Sequence, residues 1–331
     1  MLRWALLPFA LIHAMILRIR HAMYNAGWLK STEAILPTIV VGNLSFGGTG
    51  KTPHVLHLVD LLSDKFNIAL LSRGYGRLLK GIMEVVPANT PLEVGDEVFL
   101  MKSKYPKLPV FIGEKRVDAI KEIQQNYPEV DLVILDDGLQ HRNLIPNISI
   151  LLEDVNHPLD QDYIAPVGRL RDIKSRWSKM DFVIKTKVYK SYKNLATLDE
   201  NIYTSEIVYD TLFKLSMPNA KLQRWPSEVL VVSAIGNPNH LHQFVAKKVK
   251  YMKVYAKPDH YKFKVSDIFD IAKQGIKDIV CTEKDAVKLS LFKHEIKIAV
   301  IRIWVLPIQV QIKHAADLKD KIVNRIKDAG H

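Results

Sequence analysis

Apolar positions form one dense block at the start of the chain and then fall into short strand-like runs separated by helical stretches. Residues 1–19 are nearly all apolar, broken only by Arg3, Pro8, His13 and Arg18, with Arg20 and His21 following. The run 4–17 falls short of the roughly 20 residues a spanning helix needs, and Pro8 interrupts it. This predicts a monotopic membrane-associating helix over 1–30, with Trp4, Arg18, Arg20 and Trp28 of the types that settle at a lipid interface. A helix packed on the protein's own core is the plainer alternative. A cleaved signal peptide is disfavoured, because no small-residue cleavage pattern precedes a disulfide-rich region.

From residue 35 the pattern turns to strand, turn, helix. Pro37-Thr-Ile-Val-Val-Gly42 is a short β-branched run, followed by glycines and a helical stretch over 52–62. Further strands are expected at 68–72, 110–112, 132–135 and 148–152, with helices at 97–104 and 115–125. Buried strands alternating with helices imply a mostly parallel sheet covered on both faces. A basic stretch over 157–177 reads as a loop or hairpin. A second apolar series at 229–234, 251–255, 279–281 and 298–305 suggests a second, smaller α/β half. The fold class is thus α/β, a P-loop NTPase-like sheet flanked by helices, divided into 1–30, 31–190 and 191–331.

Length and charge refine this reading only modestly. With 331 residues and 48% hydrophobic composition the chain has ample material for a core, and its single cysteine, Cys281, leaves no intramolecular disulfide and suits a reducing compartment. A net charge of +12 favours an anionic partner. Nucleic acid is disfavoured, since the basic residues carry no interleaved aromatic platform. Anionic lipid and a phosphorylated substrate fit better.

The strongest chemical signal is Val41-Gly-Asn-Leu-Ser-Phe-Gly-Gly-Thr-Gly-Lys51-Thr52-Pro53, set between a strand and a helix. Gly47, Gly48, Thr49 and Gly50 let successive N–H groups face phosphate oxygens, and the helix adds its positive end. Lys51 would bridge the outer phosphates of ATP, and Thr52 would place its hydroxyl on Mg2+. The glycines are shifted relative to the strict pattern, which has one where Ser45 stands. Downstream, the strand Val130-Asp-Leu-Val-Ile-Leu ends in Asp136-Asp137-Gly138. That carboxylate pair is suited to the metal beside the β and γ phosphates, and a plain turn is the alternative. Gln140, His141 and Arg142 follow within reach of phosphate or acceptor.

Several motifs in one order, Gly42-Asn-Leu…Gly-Gly-Thr-Gly-Lys-Thr-Pro53, Ser72-Arg-Gly-Tyr-Gly-Arg77, Gly95-Asp-Glu97, Asp136-Asp-Gly-Leu-Gln-His141, Asp259-His260 and Thr282-Glu-Lys-Asp-Ala-Val-Lys288, resemble the tetraacyldisaccharide 4'-kinase family. The resemblance implies an ATP-dependent kinase that phosphorylates the 4'-hydroxyl of tetraacyldisaccharide 1-phosphate, giving lipid IVA. It also implies a location on the cytoplasmic face of the bacterial inner membrane, with no obligate protein partner. By the same resemblance Asp96 and His260 form a base dyad acting with Lys51. Taken alone, Asp96 reads as a helix N-cap and His260 as an ordinary loop histidine. Arg73, Tyr75 and Arg77 follow a strand and should project at the P-loop edge, holding phosphates or packing on base or sugar. Gly168-Arg-Leu-Arg171 is similar to the family's Gly-Pro-Leu-Arg stretch and adds Arg171. Glu283, Lys284 and Asp285 match the family run and read equally as a helix start. The rival from another class is a nucleotide-driven switch ATPase, which needs no acceptor base.

Overall fold

A computed structural model describes residues 2–188 and 200–329, and the expected boundary at 190/191 lies outside them. A 3-10 turn at Leu2–Leu6 leads into helix α1 (Leu7–Asn25), with Pro8 in its first turn. There the missing N–H of proline breaks no bond, so Pro8 starts the helix and does not interrupt it. The segment Trp4–Asn25 is therefore long and apolar enough to cross a membrane, longer than the sequence suggested.

Its contacts argue for lying along the body. His13 Nδ1 meets Ala165 O at 2.9 Å, Arg20 donates to Gln140 O at 3.0 Å, and His21 Nε2 meets Asp172 Oδ1 at 2.6 Å. A helix wrapped in lipid on all sides leaves such groups without partners. The opposite flank, with Phe9, Leu11, Ile12, Met15, Ile16 and Ile19, is more than half exposed.

The chain then runs β1 (Thr32–Glu33), β2 (Thr38–Gly42), α2 (Lys51–Leu62), β3 (Ile68–Ser72), β4 (Met83–Glu84), α3 (Pro91–Val94), α4 (Asp96–Lys104), β5 (Val110–Ile112), α5 (Arg116–Asn126), β6 (Leu132–Asp136), β7 (Leu144–Ile145), β8 (Ile148–Asp154), β9 (Phe182–Thr186) and β10 (Ile202–Tyr209). It continues through β11 (Phe213–Lys214), β12 (Met217–Lys221), β13 (Glu228–Ser233), α6 (Asn239–Ala246), β14 (Tyr251–Ala256), α7 (Val265–Ala272), β15 (Asp278–Thr282), α8 (Glu283–Leu289), α9 (Lys293–Ile298), β16 (Arg302–Leu306), β17 (Ile308–Ile312) and α10 (Ala315–Ala329).

The larger sheet has the order β17-β10-β9-β8-β2-β6-β3-β5-β4, parallel except at β10/β17 and β5/β4. Every residue of β2, β3 and β6 is buried, as a parallel sheet covered on both faces requires. Val55 and Leu58 of α2, Val98 and Met101 of α4, and Leu318 and Ile322 of α10 pack on one face. Ala119, Ile120 and Ile123 of α5 pack on the other. The smaller sheet, β12-β11-β16-β15-β13-β14, has its own core.

Residues 191–331 were expected to form one unit, but β10, β17 and α10 belong to the larger sheet and its core. The run 298–305 also divides, since α9 ends at Ile298 and β16 begins at Arg302.

Candidate active site

Strands β2 and β6 are neighbours in register, so the loops leaving their carboxyl ends emerge side by side. The loop after β2 turns through Gly47 (φ 114°) and Gly50 (φ 84°), conformations that strain any side chain, and opens into α2. No side chain caps α2, whose first N–H groups stay free for an anion. Lys51 Nζ lies 3.6 Å from Asp137 Oδ2, and Thr52 Oγ1 donates to Asp136 Oδ2 at 3.4 Å.

The two carboxylates are driven apart. Burial, with Glu97 and Asp137 nearby, pushes the Asp136 carboxyl up to about 7, against the pull of Lys51 and Thr52. Burial also raises Asp137, but the hydrogen bonds from Arg171 and the charge of Lys51 outweigh it and hold that carboxyl below its usual range. Arg171 grips both oxygens of Asp137 and also binds the carbonyl and side-chain oxygens of Asn43. Asp136 Oδ1, in contrast, is buried with no hydrogen-bond partner among the described residues.

An orphaned carboxylate oxygen beside a threonine hydroxyl, both hard oxygen donors, fits Mg2+. Among the described residues there is no group of three or more His, Cys, Asp or Glu placed to hold a metal.

Sequence reasoning missed the residues that brace this loop. Lys187, just beyond β9, is buried and donates to Gly48 O at 2.8 Å and to Asp154 Oδ2 at 2.5 Å. His54 joins Gly50 O (2.7 Å) to Ser205 Oγ on β10 (2.8 Å), and burial lowers its pKa to about 4, so it stays neutral. From the smaller sheet, the turn after β13 closes on the loop. A Cβ built on Gly236 would stand 3.1 Å from Gly48 N and 3.0 Å from Asp259 Oδ2.

The segment after β14, whose Asp259 lies against Gly236, carries the second group's histidine. His260 Nδ1 meets Asp96 Oδ1 at 3.2 Å, across 164 positions of sequence. Asp96 is the first residue of α4, after Gly95 at the N-cap, so the N-cap reading of Asp96 is corrected. Its Oδ1 also accepts Glu97 N at 3.0 Å, while Oδ2 receives no hydrogen bond among the described residues and faces Lys284 at 3.9 Å and Lys288 at 4.0 Å. The Asp96 hydrogen bond raises the His260 pKa against its partial burial. For Asp96 burial is the largest single influence, yet the bond to His260 and the charge of Lys284 outweigh it and hold the carboxyl low.

His260 adopts a left-handed backbone (φ 58°) that histidine tolerates better than most residues. Lys284 ties the cluster together, reaching Glu97 at 2.9 Å and Asp259 at 3.1 Å. Its neighbour Asp285 is fully buried and serves structure, accepting from Thr282 and from Ala234 N.

The remaining expected residues divide. The exposed Tyr75 ring lies 5.0 Å from His260, on the dyad side. Arg77 pairs with Glu114 and donates to Gly81 O, which fastens its own loop. Gln140 Nε2 donates to Asn43 O at 2.9 Å. His141 is held near pKa 4 by burial and by Arg116, Arg73 and Arg20. Arg116, also missed, is fully buried with two nitrogens lacking partners, and burial beside Arg73 lowers it to about 10.

Comparison with known proteins gives one consistent answer. The family model for tetraacyldisaccharide-1-P 4'-kinase (LpxK) matches residues 2–327. A tetraacyldisaccharide 4'-kinase of Cytophaga hutchinsonii is 34% identical over 94% of this chain and 92% of its own length. One of Bacteroides thetaiotaomicron is 31% identical over 94% and 89%. The crystal structure of LpxK from Aquifex aeolicus in complex with ATP superposes with a TM-score of 0.76 at 29% identity, covering 98% of this chain and 99% of that one. With a glycine loop for phosphates beside a paired Asp and His, and with these relatives along its length, the chain belongs to the tetraacyldisaccharide 4'-kinase family and is an ATP-dependent kinase.

Proposed function

We propose that the chain moves the γ-phosphate of ATP to the 4'-hydroxyl of tetraacyldisaccharide 1-phosphate where the two sheets meet, and that it does so at a membrane surface. The observation that carries this reading is the Asp96–His260 pair, set one residue from Glu97, whose charge is felt at Asp136. A phosphate-binding loop alone suits a switch ATPase equally well, whereas an aligned carboxylate and imidazole beside it serve an acceptor hydroxyl.

The geometry supports the following roles. Lys51 leaves Asp137 to bridge the outer phosphates, and the N–H groups of 47–52 orient them. Thr52 and Asp136 would hold Mg2+, which supplies charge neutralisation on the β and γ phosphates. Asp137, with both oxygens engaged, positions Lys51 and Arg171. Asp96 Oδ2, ionised and without a donor, takes the proton of the 4'-hydroxyl, and His260 orients the carboxylate. Phosphoryl transfer demands little of the base, so a weakly basic Asp suffices. Tyr75 lies on the acceptor side. Residues 31–188 with β10, β17 and α10 form the nucleotide lobe, and 213–306 the lobe that delivers His260. The outward apolar flank of α1 seats the enzyme on the cytoplasmic face of the inner membrane, where the acceptor resides.

The test is transfer of labelled γ-phosphate from Mg-ATP to tetraacyldisaccharide 1-phosphate in detergent micelles, comparing the intact chain with Lys51→Ala. Lipid product from the first and almost none from the second is expected. ATP hydrolysis without lipid product would move the switch reading to the front.

A further inference from the structure

Lys284, in the first turn of α8, is mostly buried, with 16% of its side chain exposed. Groups from both lobes surround its ammonium. It donates to Glu97 Oε1 of α4 at 2.9 Å and to Asp259 Oδ1 at 3.1 Å, and its third neighbour is His260 Nε2 at 3.4 Å. An ammonium carries three hydrogens and no lone pair, so it can only donate. Two carboxylates take two of those hydrogens, and the imidazole is the partner of the third.

The charge on that ammonium is secure. Burial opposes it, but Glu97, Asp96 and Asp259 outweigh burial and raise the Lys284 pKa. A ring nitrogen facing it presents its lone pair, because an N–H there would point one donor at another. The proton of the neutral imidazole then lies on Nδ1, the atom 3.2 Å from Asp96 Oδ1. Other contacts keep the ring in this pose. His260 N donates to Asp259 Oδ1 at 3.0 Å, and the Tyr75 ring lies 5.0 Å from the imidazole.

We infer that Lys284 is a positioning residue that fixes His260 as the neutral Nδ1–H tautomer, so that the single N–H of the ring is given to Asp96. The inference rests on the base role assigned to Asp96 above and deepens it. With Nδ1–H and Glu97 N both on Oδ1, the carboxylate is turned so that Oδ2 is left for the acceptor. During transfer the hydroxyl O–H bond breaks as its oxygen bonds to the γ-phosphorus and ADP leaves. The proton ends on Oδ2, and Nδ1 keeps its own. An imidazolium would serve less well, since its full charge beside Asp96 makes the carboxylate a weaker base. The charged groups facing the ring are Asp96 from α4, Asp259 from its own segment and Lys284 from α8. The Asp96 hydrogen bond and both carboxylate charges favour the imidazolium, whereas burial and Lys284 oppose it. Without Lys284, an Nε2–H is free to turn to Asp259 Oδ2, 3.8 Å away, and to compete for the proton.

The experiment uses full-length protein in detergent micelles, isotopically labelled at the histidine ring nitrogens, with His260 assigned by the signals missing from His260→Gln. Above the titration of the ring, NMR of the wild type should show a protonated Nδ1 and an unprotonated Nε2. The opposite tautomer would overturn the inference with no appeal to activity. In Lys284→Met the ring should titrate roughly one pH unit higher and the Nε2–H form should appear. Its kcat for lipid product should fall about tenfold or more while the KM for ATP hardly changes. Lys284→Arg, which keeps the charge, should restore the lower titration and most of kcat. A fall in kcat with tautomer and titration unmoved would make Lys284 structural only and overturn the assignment, as would an unchanged kcat. Wild-type protein that shows the Nδ1–H tautomer yet makes no lipid product would instead overturn the kinase reading on which the inference rests.

Discussion

Replacing Asp136 by Asn should stabilise the unliganded fold while abolishing transfer. The carboxyl is buried, and burial with its acidic neighbours lifts its pKa from 3.8 to about 7. Roughly three units at about 1.4 kcal/mol each make the ionised site cost about 4 kcal/mol relative to the unfolded chain. The sign follows from proton counts. Between pH 4 and 7 the native carboxyl keeps a proton that the unfolded chain has shed, so stability falls as pH rises and levels off above 7. Asparagine has nearly the same shape and no proton to lose. Urea unfolding in detergent without nucleotide, followed by tryptophan fluorescence, should show the variant ahead by about 1–2 kcal/mol at pH 5 and about 4 kcal/mol at pH 8. A gap that does not change with pH, or a variant less stable at both values, would refute the reasoning.

Three further outcomes are expected. Asp96→Asn and His260→Ala should each lower kcat by roughly 10²–10⁴ with ATP affinity nearly intact. The His260 imidazole of the first variant should titrate at lower pH by NMR, because the Asp96 hydrogen bond is what raises it. A large loss of nucleotide binding in both would contradict the base role. Deleting residues 1–19 should free the protein from membranes yet preserve its fold, since Ala10 and Leu17 are the apolar residues of α1 that it buries, and unchanged sedimentation with membranes would exclude the anchor. Lys187→Met, combined with Asp154→Asn so that no buried charge is left unpaired, should raise the KM for ATP several-fold by freeing the Gly48 carbonyl. An unchanged KM would show that the loop holds its shape without that lysine.

How far the sequence could be read depended on whether a signal was local. Glycines, Lys51 and Thr52 between a β-branched run and a helix form one contiguous pattern, and Asp136–Asp137 at a strand end is another. Asp96 and His260 stand 164 positions apart, and only the family resemblance joined them. Lys187 went unnoticed, and Lys284 read equally as part of a helix start, because a lysine at a strand end or in a helix's first turn usually faces water. Here each is buried or nearly so by carboxylates that the tertiary fold supplies. Strand β17 was missed although Ile308, Val310 and Ile312 alternate with Gln309 and Gln311, the period-two pattern of a half-buried strand. Helix α10 did carry a readable signal, with Leu318, Ile322 and Ile326 at spacings of four on one face.

The opposite shifts of Asp136 and Asp137 make one device. Lys51 rests on Asp137, which Arg171 also holds, so these cationic side chains are matched by an ionised carboxylate. A second ionised carboxylate beside the first would add repulsion without a partner, and Asp136 avoids it by keeping its proton near neutrality. Asp136 must shed that proton before its free oxygen can serve a cation. On the proposed reading, nucleotide phosphates would draw Lys51 away from Asp137. On the proposed assignment of Asp136 to Mg2+, binding of Mg-ATP would be tied to proton release, and its affinity should rise with pH until Asp136 is ionised without assistance.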